Sequence, residues 1–139
     1  MTDDEIRSFL LAEPARPAVL ATRRPDGRPH AAPIWYDLDG DDLVFNTGAD
    51  TVKGRNLRHD PRVSVVVQDD RVPFSFVMLE GSASTSDDPD EVRRWAARLG
   101  GRYMGEERAA EYGERNGVPG ELLVRVAVVR RIAMRDVAD

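Results

Sequence analysis

Ile6, Phe9 and Leu10 recur at helical spacing behind the acidic run Asp3-Asp4-Glu5. That pattern predicts a short amphipathic helix over residues 3–12, with favourable charge at its N-terminus. Pro14 and Pro17 end it. Beyond them the apolar positions take up the spacing of strands. Ala18-Val19-Leu20-Ala21-Thr22 reads as a first strand, turned back by Pro25-Asp26-Gly27-Arg28. A second strand is expected over residues 30–38, and Asp39-Gly40-Asp41 is a tight turn into a third over 42–47. Residues 50–59 predict a helix of two to three turns, capped by Asp50 or Thr51 and stopped at Asp60-Pro61. Residues 62–68 are a fourth strand and 74–85 a fifth, with Gly81 at a bulge position.

Helical spacing returns at Val92, Trp95, Ala96 and Leu99, predicting a helix over 89–98. Residues 105–116 form a second helix, charged on most sides, until Gly117-Val118-Pro119-Gly120 breaks it. Glu121 to Met134 is a long final strand. Six antiparallel strands joined by tight turns avoid exposed edges by closing, so the expectation is a mainly β barrel with a few short helices. One domain over residues 1–139 is expected. It divides into an N-terminal helix within 1–13, barrel strands over 17–85, a helical insert over 88–117 and a closing strand over 120–134.

Composition narrows the chemistry. With no cysteine among 139 residues, disulfides, thiolate metal sites and cysteine nucleophiles are excluded. His30 and His59 are the only histidines, so a three-histidine metal centre is excluded too, and no metal site is expected. The net charge of −5, without a basic stripe, argues against nucleic acid as a partner. No apolar run is long enough to span a membrane, and the acidic N-terminus is unlike a signal peptide; a cytoplasmic location is expected. Of the 20 basic side chains one is lysine, Lys53. In a chain with so strong an arginine bias, that position invites attention.

Lys53 falls in Thr47-Gly48-Ala49-Asp50-Thr51-Val52-Lys53-Gly54-Arg55-Asn56-Leu57, a strand end running into a helix start. Unpaired N–H groups and partial positive charge at a helix N-terminus suit a phosphate, and Lys53 and Arg55 add cations. A surface helix with ordinary solvated charges fits the same residues. Plainer readings also hold elsewhere. His59 sits at a helix C-terminus, His30 lacks any neighbour in sequence to work with, and Trp95 is a packing residue. Asp37, Asp39, Asp41 and Asp42 lack a calcium-loop pattern and mark a solvated turn. Trp35 and Tyr36, adjacent on a strand, point to opposite faces, so one belongs to the core or an interface and one can face a ligand.

Phe45-Asn46-Thr47-Gly48, Thr51-Val52-Lys53-Gly54-Arg55 and Asp60-Pro61-Arg62-Val63 together resemble the pyridoxamine-phosphate-oxidase-like split β-barrel superfamily. Val19-Leu20-Ala21-Thr22, Pro25-Asp26-Gly27-Arg28-Pro29, Pro33-Ile34-Trp35-Tyr36 and Glu80-Gly81-Ser82-Ala83 extend the likeness over residues 17–85. Arg102-Tyr103-Met104-Gly105 and Gly117-Val118-Pro119-Gly120-Glu121 resemble the branch that uses the deazaflavin coenzyme F420. The resemblance implies a six-stranded antiparallel split barrel, homodimeric, with cofactor sites at the subunit interface. Lys53 would hold the cofactor phosphate, with Thr47, Gly48, Thr51 and Val52 bordering it, and Arg55 and Asn56 close by. Pro33, Ile34, Trp35 and Tyr36 would lie beside the ring, and Phe74 and Ser75 would reach over from the partner subunit.

Two positions depart from the flavin-mononucleotide (FMN) oxidases of the superfamily. Val52 and Ala31 stand where those enzymes place arginines, and their C-terminal arginine- and histidine-bearing substrate motif is missing; the namesake activity is therefore not expected. The expected function is hydride transfer between F420 and a small conjugated or aromatic substrate. Tyr36, Tyr103 or solvent would supply the proton. The alternatives are an FMN-dependent oxidase or reductase, a protein that binds F420 or a tetrapyrrole without catalysis, and an interaction module without cofactor.

Overall fold

The structure is a computed structural model describing residues 1–139. Alternation of inward apolar and outward polar residues builds seven strands: β1 (Ala18–Arg23), β2 (Pro29–Ile34), β3 (Asp37–Asp39), β4 (Asp42–Gly48), β5 (Arg62–Asp69), β6 (Ser75–Ser86) and β7 (Glu121–Met134). All neighbours are antiparallel, in the order β2-β1-β5-β6-β7-β4-β3. This is the mainly β split barrel expected, with one strand more than the six predicted. Four helices accompany it: α1 (Asp3–Leu10), α2 (Val52–His59), α3 (Pro89–Met104) and α4 (Ala109–Asn116).

The extra strand arises because the predicted second strand breaks at Trp35 and Tyr36. There the backbone bonds to side chains of α3 instead of to a neighbouring strand. The Tyr36 N–H donates to the Tyr103 hydroxyl (3.2 Å), and the Tyr36 carbonyl accepts from Arg102 Nη1 (2.9 Å). Two further corrections lie in the insert: α3 runs on to Met104 instead of stopping at Arg98, and the helix expected over 105–116 is a 3-10 turn at Glu106–Arg108 followed by α4. The extension of α3 passes through Gly100 and Gly101, residues of low helix propensity. In the fold they let the helical insert close on itself: a Cβ on Gly100 would collide with the Tyr112 side chain of α4, and one on Gly101 would lie 2.9 Å from Glu106.

Leu20, Leu43, Phe45, Val65, Val67, Val77, Leu79, Val124 and Val126 fill the barrel, and α1 caps it with Ile6 and Leu10. Thr2 starts α1 with a capping box to Glu5, which satisfies two backbone donors reciprocally. On the outer face, Val44 and Leu123 pack under Val92 and Trp95 of α3; Trp95 is a packing residue, as its helical spacing implied. β6 carries the expected bulge, with its register shifting between Glu80 and Gly81. A Cβ there would crowd Val126 Cγ1 at 2.9 Å, so glycine lets β7 cross closely.

A buried guanidinium locks the insert to the barrel. The Arg102 side chain is 8% exposed and pairs with Asp37 at 3.1 Å. It also donates to the carbonyls of Tyr36 (2.9 Å) and Leu10 (2.8 Å). Removing Arg102 leaves Asp37 with only the more exposed Arg98 and strips the Tyr36 carbonyl of its side-chain donor. Arg102→Met should therefore cost about 3 kcal/mol in urea unfolding, and a loss below about 0.5 kcal/mol, the size of an ordinary surface change, would show that the clamp contributes little.

Candidate functional site

β4 ends at Gly48, and the chain turns through Ala49-Asp50-Thr51 into α2. Thr51 is the N-cap: its Oγ1 accepts from the Gly54 N–H (3.1 Å) and donates to the Gly48 carbonyl (2.8 Å). Thr47, buried, shares a hydrogen bond with Thr51 Oγ1 at 3.1 Å. The helix start is pressed hard onto the strand end. A Cβ on Gly54 would collide with the Gly48 carbonyl oxygen and come within 3.1 Å of the Ala49 carbonyl oxygen. Gly54 therefore fixes the height at which the preceding residue, Lys53, leaves the backbone.

Lys53 opens onto a cleft of about 320 Å³ between barrel and helical insert. Pro33, Ile34 and Trp35 form one wall, Ala96 and Leu99 of α3 the other, and Asn46 lies between them. None of the ion pairs in the structure engages Lys53. Trp35 is held by aromatic contacts: Tyr103 stacks on it with centroids 5.1 Å apart and planes 3° apart, and Tyr112 meets it edge-on at 5.8 Å. Asn46 Nδ2 donates to the Val92 carbonyl at 3.4 Å, while its Oδ1 is buried with no partner. A buried acceptor left open beside a cleft is suited to a ligand donor.

The fold thus gathers Pro33, Ile34, Trp35 and Lys53 around one space, with Thr47, Gly48 and Thr51 shaping the turn that carries the lysine. Val52 and Arg55 are exposed on α2. Asn56 is not in the cleft: it is buried toward β1 and donates to Thr22 Oγ1 at 3.0 Å. Tyr36 belongs to the core, and its hydroxyl donates to the Leu10 carbonyl at 2.7 Å. Phe74 and Ser75 lie at the start of β6, where Ser75 lines a separate hollow with Phe9, Asp69 and Arg135. His59 is exposed at the end of α2.

Neither tyrosine expected to supply a proton is placed to do so within this chain. Burial pushes the Tyr36 hydroxyl up to about 12. Burial also raises that of Tyr103, whose proton is directed to the Arg16 carbonyl at 2.7 Å. Sequence reasoning passed over Asn46, Leu99 and Asn116, which line the cleft, and Glu121, whose Oε2 is buried without a partner. Asn46 stands within a motif already singled out, but an unpaired buried atom has no sequence signature.

A profile of the family described as pyridoxamine 5'-phosphate oxidase matches residues 2–134. The chain belongs to that family, within the pyridoxamine-phosphate-oxidase-like split-barrel superfamily. Among solved structures it is similar to the conserved hypothetical protein Rv2991 from Mycobacterium tuberculosis, with 28% identity and a TM-score of 0.85, covering 98% of this chain and 86% of that one. A protein described as an F420 reductase matches at 25% identity and a TM-score of 0.71, covering 90% of this chain and 94% of that one. HutZ, the heme storage protein from Vibrio cholerae, shares the fold at 19% identity and a TM-score of 0.73, covering 94% and 92%. No helix is long and apolar enough to cross a membrane.

Because the space at Gly54 is filled by backbone, Gly54→Ala should push α2 off the strand end. The expected loss is about 2 kcal/mol, typical of overpacking, read by thermal or urea unfolding. Unchanged stability would mean that the α2 junction yields without strain.

Proposed function

We propose that this chain is an oxidoreductase that binds coenzyme F420 in the Lys53 cleft and acts on a small conjugated or aromatic substrate. The observation that carries the reading is the meeting, in one cleft, of the single lysine with the apolar wall of Pro33, Ile34 and Trp35. Similarity to the F420 reductase supports it. Bound there, the deazaflavin would supply two-electron hydride chemistry. A cleft of about 320 Å³ is within the range of small-molecule sites and would take a flat ring system.

The residues of the chain would then divide the work. Lys53 would hold the phosphate as a point charge, at the start of a helix whose turn is stapled by Thr47 and Thr51. Pro33, Ile34 and Leu99 exclude water from the reacting face, and the Trp35–Tyr103 stack keeps that wall rigid. Asn46, whose Oδ1 has no partner beside the cleft, would be the acceptor for a donor on the ring. With the Tyr36 and Tyr103 protons directed to backbone carbonyls, solvent provides the proton that completes reduction.

A homodimer belongs to the same reading. Pro33, Val19, Val66, Met78 and Ile132 are in register across β2, β1, β5, β6 and β7 and form an apolar row on the outside of the barrel. Val19 is 48% exposed. Covering that row with a second copy would place the partner beside Pro33 at the edge of the cleft, where Phe74 and Ser75 of the partner could complete it. Met78→Glu should halve the mass seen by analytical ultracentrifugation, and an unchanged mass would reject this face as the interface.

Titration with F420 and with FMN, followed by tryptophan fluorescence, tests the function. F420 is expected to bind more tightly, and Lys53→Ala to weaken it by about tenfold, the size of one charge-assisted bond. Retained affinity in Lys53→Ala would remove the lysine from the site. Preference for FMN would move the protein to the FMN-dependent reading, and binding of neither would withdraw the cofactor function.

A further inference from the structure

We propose that Glu121 is a charge filter on the Lys53 cleft, admitting a phosphodiester with one negative charge and disfavouring a phosphomonoester with two. The inference rests on the F420 reading above and names the residue that would decide between the two cofactor classes.

Glu121 opens β7 and pairs across the sheet with Gly48, the last residue of β4. A Cβ placed on Gly48 would stand 4.0 Å from Glu121 Oε2 and 3.1 Å from Thr51 Cγ2. The carboxylate therefore sits at the shoulder of the turn that leads into α2, beside the N-cap. Its Oε2 is buried and accepts no hydrogen bond. Burial raises its pKa, and the nearby Lys53 ammonium offsets part of that rise.

A carboxylate desolvated next to an anion-binding turn needs a reason, since packing alone would be served by a neutral side chain of the same shape. The neighbouring charges supply one. Val52 contributes none, Arg55 is exposed, and Arg58 donates to the Ala49 carbonyl while lying 4.0 Å from Asp50. Within the turn and cleft, Lys53 and Glu121 cancel to a net charge near zero before any ligand arrives. Coulomb repulsion from a fixed carboxylate doubles when the incoming charge doubles. The phosphate of F420 is a diester and carries one charge. That of FMN is a monoester and carries nearly two at neutral pH, as a phosphorylated side chain does. Lys53 alone would favour the doubly charged group; Glu121 cancels that advantage, and its removal should restore it.

Dissociation constants for F420 and FMN, measured by tryptophan fluorescence at pH 8 and low salt on wild type and Glu121→Gln, test this. The variant should tighten FMN by about tenfold, or ~1.4 kcal/mol, and F420 by no more than about threefold. Glu121→Met, also neutral and of similar length, should shift the ratio the same way and serves if the amide variant does not fold. Wild type that prefers F420, with a ratio unchanged in either folded variant, would overturn the filter and leave the F420 reading standing. Wild type that binds neither cofactor would remove both.

Discussion

The arrangement of the cleft depends on one buried guanidinium. Arg102 reaches from α3 to the C-terminal end of α1, where Leu10 presents a carbonyl that the helix itself cannot satisfy. On the way it bonds the Tyr36 carbonyl and the Asp37 carboxylate and lies 4.8 Å over the Tyr36 ring. Burying such a charge is expensive unless its donors are met. Here carbonyls and a carboxylate from separate parts of the chain meet them, so α1, the interruption between β2 and β3, and α3 settle together. Arg98 adds a second contact to Asp37 at 3.0 Å from the more exposed side.

The Trp35 wall of the cleft follows from that clamp. Once α3 is seated, Tyr103 lies parallel to Trp35, and its hydroxyl joins the Arg16 carbonyl to the Tyr36 N–H. The break in the strand is what turns the indole toward the insert while Tyr36 enters the core. Opposite, the turn into α2 is ordered by a different device, the Thr47–Thr51 hydroxyl pair and the close approach at Gly54. Two independent local constraints thus face each other across about 320 Å³. Such a site stays pre-formed without relying on a mobile loop.

Much of this was legible in the sequence where the cause is local. Strand periodicity located the barrel, Gly81 marked its bulge, and Thr51 was one of two N-cap candidates for α2. The motif around Lys53 and the Pro33-Ile34-Trp35 run were read as parts of one site, and the fold does bring them to one cleft. What escaped has a non-local cause. The interruption at Trp35 and Tyr36 depends on α3 side chains more than sixty residues further on, at separations of 66 and 67 positions. The run of α3 past Arg98 through Gly100 and Gly101 depends on Tyr112 and Glu106, which occupy the space a Cβ would fill and lie in the following elements. Asn56 sits beside the phosphate segment in sequence, yet the helical turn carries it to the opposite side, against Thr22. Asn46 and Glu121 matter because of bonds they do not make, which no spacing can announce.

The arginine bias gains a physical meaning in this frame. A guanidinium presents a planar fork that closes on carboxylates and carbonyls, and the chain uses it that way repeatedly. Arg62 grips Asp60 and Arg71 grips Asp69 with paired donors two residues away, and Arg102 staples the interior. Such pairs are complete, and little of their charge is left over for a ligand. An ammonium on a flexible stem has no preferred partner geometry and stays available. The position in this chain that carries an ammonium, Lys53, is also the one that opens on the cleft without an ion-pair partner. Its neighbour Glu121 is likewise unmated. Many arginines are thus committed to carboxylates and carbonyls, whereas Lys53 and the buried Glu121 oxygen, both without a bonded partner, lie beside the same turn.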